Sequence, residues 1–326
     1  MSATTVTSPY SLGYQVRKGI RLGINYLVMV LLAFFFLFPI IFMLVSSIKV
    51  NETQIIRDMS TLAAFVPYGD LGLKNYRDVF DQMPFERFIF NSVFIVGNTV
   101  LGGLVVNSMI AYALARLRFR GRQFILTLII ALIIIPFEAV AIPLLLMVNR
   151  VGWLDSYHVQ IIPFIADAFS IFLFYQFFIG LPRDLDEAAL VDGASPVRIY
   201  WNIILPLSRP VFATVAILQF LANWGKFLWP LMVTRGFEYR PLPVAIQQFF
   251  SQDPKVWGDI FAFSAMITVP VLVVFLLSRS GSYKAWLRRA SRDREGGTPW
   301  HPRPPPGRVV RAECGFSRHQ EVNSWL

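Results

Sequence analysis

The chain has 326 residues, of which 55% are hydrophobic and only 15% charged, with a mean hydropathy of +0.54. A soluble globular domain carries about 25% charged residues, so this chain lacks the charge to clothe a water-facing surface, and disorder, collagen and a disulfide scaffold are excluded as descriptions of the whole. Its net charge of +10 and pI near 9.9 would point to nucleic acid in a soluble protein, but the apolar composition opposes that reading. One cysteine, Cys314, allows no intrachain disulfide, and His158, His301 and His319 are too scattered to ligate a metal.

The apolar residues come in long runs. A bilayer core of about 30 Å needs roughly 20 helical residues, and residues 24–48 carry no charge over that length. This run is too long for the core of a signal peptide, so it reads as a retained helix behind a leader of residues 1–22. Five further runs follow at 88–114, 124–148, 160–181, 211–234 and 260–277. Backbone polar groups cannot be left open in lipid, so helices are the expected form. The fold class is therefore an all-α membrane protein with six transmembrane helices across residues 23–277.

Lys and Arg in the short flanks set the orientation. Arg17, Lys18 and Arg21 lie in the leader, Arg116, Arg118, Arg120 and Arg122 between the second and third runs, and ten Lys and Arg after residue 277. A six-span chain places all three segments on one side, which the rule makes cytoplasmic. Residues 49–87 hold five basic and six acidic residues and read as external. Both termini are expected inside.

Three ionisable residues fall within the runs: Glu138, Asp167 and Lys226. Charges at such depth are costly and face the bundle interior. Helical rise puts Asp167 and Lys226 roughly 10–12 Å, and Glu138 roughly 15 Å, below the external ends of their spans. Asp167 or Glu138 is expected to pair with Lys226 beside a solute path that includes Asn223 and Trp224. The plainer alternative is a structural ion pair away from the path. Gly102-Gly103 lies inside a run and reads as a site of close helix packing.

Residues 182–209 carry the most informative pattern. Pro182, Asp184, Asp186 and Glu187 suit a helix N-terminus. Leu185, Ala188, Ala189 and Asp192 share one helical face, and Gly193 suits a left-handed C-terminal position. Ser195 and Pro196 restart a helix as N-cap and first-turn proline. Val197, Tyr200, Trp201 and Ile204 form its apolar stripe, and Pro206 and Pro210 end it. Two short helices with few charges are marginal alone in water. From the residues alone, the loop either packs on its own bundle or docks a cytoplasmic partner.

Glu187-Ala188-Ala189, then Gly193, then Ile203, Leu205 and Pro206 resemble the EAA loop of binding-protein-dependent ABC import permeases of the maltose type, with Asp192 matching a common variant. The position between the fourth and fifth of six spans agrees. Weaker similarities cover most of residues 22–277, including Asn91-Ser92, the segment from Ala111 to Arg116, and Pro136 with Ile142-Pro143. The resemblance implies a multi-pass permease subunit of a bacterial inner membrane that imports a sugar or related solute: an oligosaccharide, a disaccharide or a glycerol phosphate. It implies a second homologous permease subunit, two ATP-binding subunits and an extracytoplasmic solute-binding protein as partners. Glu187 would contact the ATPase, Ala188 and Ala189 would allow close approach, Gly193 would form the bend, and Ile203, Leu205 and Pro206 would anchor the loop.

The chain lacks a Gly-x-x-x-x-Gly-Lys-Ser/Thr phosphate loop, so ATP and magnesium are expected on a partner, with no cofactor and no enzyme activity here. Relatives often have an acid where Lys226 stands, and a lysine there would accommodate an anionic solute. A secondary carrier not coupled to ATP is the main rival, but no clear inverted repeat supports it. Residues 278–326 hold ten Lys and Arg, four acids, five prolines and five glycines. That composition reads as a disordered basic tail outside the family.

Overall fold

The computed structural model describes the backbone of residues 12–295 and the side chains of residues 17–277. Residues 1–11 of the leader and 296–326 of the expected tail lie outside the described residues. The chain divides between Ser278 and Arg279 into two units, and the first holds everything discussed below.

The first unit is built almost entirely of helices. They are α1 (Leu12–Ser47), α2 (Glu52–Asp58), α3 (Lys74–Gln82), α4 (Phe85–Arg116), α5 (Arg122–Ile134), α6 (Phe137–Arg150), α7 (Tyr157–Ile161) and α8 (Ala168–Ile179). These are followed by α9 (Asp184–Val191), α10 (Pro196–Ile199), α11 (Leu205–Leu207), α12 (Arg209–Trp224), α13 (Leu228–Val233), α14 (Leu242–Ala245), α15 (Gln247–Phe250) and α16 (Trp257–Glu295). Among the described residues, the one β pairing is an isolated bridge between Lys49 and Leu71.

Four helical stretches are long and apolar enough to cross a membrane, and two bent pairs raise the number to six if each pair counts as one span. α1 has a mean hydropathy of 3.0 in its most apolar window, and none of that window is buried within the chain. A helix that is apolar all round must be covered by lipid or protein. Among the described residues its C-terminal part meets the rest of the chain, where Phe38 and Phe42 pack on Phe65, and Phe42 also on Phe261. α4 is central: its buried residues join Phe174, Phe178, Ile204 and Val215 in one core, and Val79, Phe249, Ile260 and Phe263 in a second.

Three expected spans are broken rather than continuous. The run 124–148 divides into α5 and α6, bent by 104°. Pro136 has no N–H and forces Ile135 into extended backbone, at φ −74 and ψ 117, so the helix stops. The run 160–181 begins as α7 and a 3-10 turn at Ile162–Phe164, then restarts as α8 behind Asp167. The run 211–234 stops at Trp224, crosses Gly225 and resumes as the short α13. At the ends of the bundle, α1 starts inside the expected leader, and α16 begins at Trp257 and continues past residue 277 to Glu295.

The segment after α1 is a folded cap. Lys49 is fully buried and donates to Asp58 Oδ2 at 2.8 Å and to the Ala63 carbonyl at 2.9 Å. Tyr68 donates to Asp58 Oδ1 at 2.6 Å. The Glu52 carboxylate accepts from the N–H groups of Trp257 and Gly258, at 2.7 and 3.2 Å. It fills two of the open donors at the start of α16.

Candidate functional site

The loop between α8 and α12 folds as two helices around a bend. α9 carries Asp184, Asp186 and Glu187 in its first turn, where the helix dipole favours acids. It ends in a Schellman arrangement: Gly193 N–H bonds the Leu190 carbonyl at 3.0 Å, and Ala194 N–H bonds the Ala189 carbonyl at 2.9 Å. Gly193 sits at φ +76 with open space where a Cβ would be. Its requirement is therefore one of backbone conformation, worth about 1–2 kcal/mol against an ordinary L-residue. Ser195 Oγ accepts the Arg198 N–H at 3.3 Å with Pro196 in the first turn, as expected for a restarted helix.

The second helix widens into a π turn at Tyr200–Ile204, with Leu205 N–H bonding the Tyr200 carbonyl. Pro206 has no N–H to continue the regular pattern, and its ring crowds the carbonyl four residues back, so a wider turn relieves the clash. The wider turn alters which side chains are buried. Ile199, Tyr200 and Ile204 enter the core, while Val197 and Trp201, expected in the same apolar stripe, stay exposed.

Glu187, Ala188, Asp192, Gly193 and Pro206 are exposed, Ala189 is buried, and Ile203 and Leu205 are half-buried. Leu190, Val191, Val197 and Trp201 leave apolar surface open on the same loop, Val191 at 87% exposure. Crevices of about 720 and 540 Å³ flank it. Glu187 and Leu190 line the first and Asp192 and Ile203 the second. One face of the loop packs on the bundle, as one of the two readings expects, and the other is uncovered among the described residues.

Three contacts tie the loop to α4. Ser108 Oγ and Tyr200 OH are 2.7 Å apart, Tyr112 OH donates to the Pro196 carbonyl at 3.0 Å, and Arg116 Nη1 donates to Asp186 Oδ2 at 2.9 Å. From the sequence, Arg116 marks orientation, Asp186 suits a helix N-terminus and Tyr112 falls in a segment of family resemblance, but none of them, nor Ser108, is expected to tie the loop to α4. The four-residue spacing of Ser108, Tyr112 and Arg116 was the available signal.

The interior charges lie at or beside the breaks. Asp167 is the N-cap of α8, its Oδ2 accepting the Ser170 N–H at 2.8 Å. Lys226 follows Gly225, and Glu138 lies in the first turn of α6. Asp167 and Lys226 line one cleft with about 920 Å³ of empty space between α8 and α12, together with Phe164, Ser170, Gln219 and Asn223. The expected ion pair is absent. No salt bridge joins Lys226 to either carboxylate among the described residues, and Lys226 Nζ instead stands 3.5 Å from the centre of the Phe164 ring. The α8 N-terminus engages Asp167, and Glu138 is exposed outside the cleft.

Trp224 is turned away from the larger cleft. It is 4% exposed, stacks on Phe220 and donates to the Ile267 carbonyl at 3.2 Å. It lines a neighbouring cavity of about 370 Å³, which shares Phe164, Asn223 and Lys226 with the larger one. Gly103 allows α4 to approach α12: a Cβ there would fall 2.6 Å from Gln219 Oε1. This is the close packing expected of the Gly102-Gly103 pair.

Several apolar helices, a helix–bend–helix loop at the arginine-bearing end of α4, and a cleft of mixed polar and aromatic lining define a multi-pass membrane transport subunit. The sequence profile described as "Binding-protein-dependent transport system inner membrane component" matches residues 103–285. It runs past residue 277, where the resemblance was expected to stop. The arabinooligosaccharides transport system permease protein AraQ of Halalkalibacterium halodurans is 33% identical over 75% of this chain and 87% of its own length. The sn-glycerol-3-phosphate transport system permease protein UgpE of Yersinia enterocolitica is 32% identical over 60% of this chain and 71% of its own. A chain from a bacterial ABC transporter involved in importing the acidic polysaccharide alginate superposes with a TM-score of 0.72 at 25% identity, over 84% of this chain and 99% of that one. The chain belongs to the family of binding-protein-dependent transport system inner membrane components and is a permease of that class.

Proposed function

We propose that this permease is one of two homologous membrane subunits of an ATP-driven importer in a bacterial cytoplasmic membrane. It crosses six times with both termini inside, receives solute from an extracytoplasmic binding protein, and takes its drive from two ATP-binding subunits that hold the ATP and magnesium. The loop 182–209 carries this reading. Its bend is fixed by Gly193 and its inner face is anchored in the core, while Glu187, Leu190, Val191, Val197 and Trp201 are exposed on its outer side. A rigid, apolar, acid-bearing projection suits a groove on another subunit.

The solute is a sugar or related molecule. The names of the relatives support that class, and so does a cleft in which Asn223, Gln219, Ser170 and Asp167 offer hydrogen bonds beside the rings of Phe164 and Phe169. Lys226 adds an ammonium with no salt bridge among the described residues, which favours an anionic group on the solute.

Cysteine crosslinking tests the docking. Val191→Cys should crosslink to an ATP-binding subunit in the assembled transporter, and Glu187→Arg should abolish uptake while the chain remains in the membrane. Absence of any crosslink, or full uptake in the Glu187→Arg variant, defeats the reading. Uptake that survives deletion of the ATP-binding subunits would favour the secondary carrier instead.

A further inference from the structure

The loop and the cleft are both held by α4. Ser108, Tyr112 and Arg116 recur every four residues and so lie along one helical face. Each makes a polar contact with a different part of the neighbouring chain. Ser108 meets the Tyr200 hydroxyl in the π turn, Tyr112 meets the carbonyl of Pro196 at the start of the second loop helix, and Arg116 meets Asp186 in the first. Arg116 also donates to the carbonyls of Phe178 and Leu181, at 2.7 and 2.8 Å. These carbonyls lie at and just beyond the negative end of α8, where a cation is favoured. One guanidinium, 4% exposed, therefore joins α4, α8 and α9.

Asn107 and Gly103 extend the contacts along α4 toward the cleft. Asn107 Nδ2 donates to the Ile165 carbonyl, and its Oδ1 accepts the Asp167 N–H, both at 3.0 Å. It thus fixes the break that presents Asp167 to the cleft. Gly103 lies against Gln219, which lines the same cleft. From Arg116 to Gly103 is about 20 Å of continuous helix, a stiff element with polar contacts at both ends.

The Arg116–Asp186 contact is made through one arm. Arg116 Nε and Asp186 Oδ1 are both buried without a partner. Arg116 Nη2 is taken by two carbonyls of the α8 end, so the pair with Asp186 stays single-armed and short of the two parallel bonds such pairs commonly make.

We infer that Ser108, Tyr112 and Arg116 are positioning residues that make α4 the rod carrying motion of the docked loop to the Asp167 break in the cleft. This rests on the importer reading above. It concerns how drive reaches the cleft, not whether ATP supplies it.

The test uses the assembled transporter in proteoliposomes, with its ATP-binding subunits and binding protein. The quantity read is solute transported per ATP hydrolysed, per assembled complex. Tyr112→Phe with Tyr200→Phe removes two hydroxyls and keeps both rings in their packing, and adding Asp186→Asn weakens the third contact. Hydrolysis should continue in the triple variant while the ratio falls about fivefold or more, as for loss of a typical coupling free energy, with a smaller fall in the double variant. An unchanged ratio in the triple variant overturns the inference, as does a proportional fall of uptake and hydrolysis. If the triple variant fails to assemble, the double variant decides, and an unchanged ratio there overturns the inference as well. Failure of the importer reading looks different: the unsubstituted protein would then show no ATP-dependent uptake.

Discussion

Lys226, half-buried, and Asp58, buried, show how differently two charges can be held. Lys226 faces an open cleft with the Phe164 ring against its ammonium and, among the described residues, no salt bridge. Removing the charge should therefore act on solute rather than on folding. Lys226→Met should weaken uptake of an anionic solute by roughly tenfold or more, as for a lost hydrogen bond to a charged group, and change uptake of a neutral analogue little. Equal effects on both solutes would remove the anionic assignment. Asp58 is closed in. The Lys49 ammonium, and then the Tyr68 hydroxyl, hold its carboxyl below the usual carboxylate range. A lowered carboxyl adds stability above its unfolded pKa of about 3.9, and loses it as pH falls through the folded value. Paired digestions, with a neutral-active protease near neutrality and an acid-active one in acid, should find the 57–70 segment resistant near neutrality and cleavable only below about pH 4. Asp58→Asn should expose it at neutral pH with little further change on acidification. Cleavage in the original protein at neutral pH would contradict the cap described here.

At the scale of elements, legibility followed local chemistry. The bend at Gly193, the Ser195 cap and the Pro196 restart were readable because each depends on one or two residues and a backbone rule. The breaks in three spans were not. Hydropathy averages over a window and cannot distinguish a straight 25-residue helix from two shorter ones at a right angle. Pro136 carried the signal for one break and Gly225 for another, but Pro143 and Pro270 sit inside helices that continue through them, so proline alone does not decide. The depth estimate inherited that error. Asp167 and Lys226 do meet one cleft, yet as a helix cap and a loop residue, while Glu138 points outside it. Around the π turn the buried stripe kept Tyr200 and Ile204, gained Ile199 and lost Val197 and Trp201. The ties from Ser108, Tyr112 and Arg116 needed tertiary structure to identify their partners, which lie up to 92 residues away.

At the scale of the whole molecule, the low charged fraction was the informative half of the composition. Residues 1–277 hold 20 Lys and Arg against 16 acids, so most of the net charge belongs to the last 49 residues. The remaining arginines cluster at the end of α4 and the start of α5, beside the loop, and suit a cytoplasmic face. Among the described residues α1 has almost no contact with its own bundle along its apolar length, so lipid or another protein must cover it. The most direct measurement is solute uptake into proteoliposomes holding this chain with its partner permease, its ATP-binding subunits and its binding protein. Uptake should require ATP and all of these components, and should stop when hydrolysis is blocked. Uptake driven by an ion gradient with the ATP-binding subunits left out would contradict the importer.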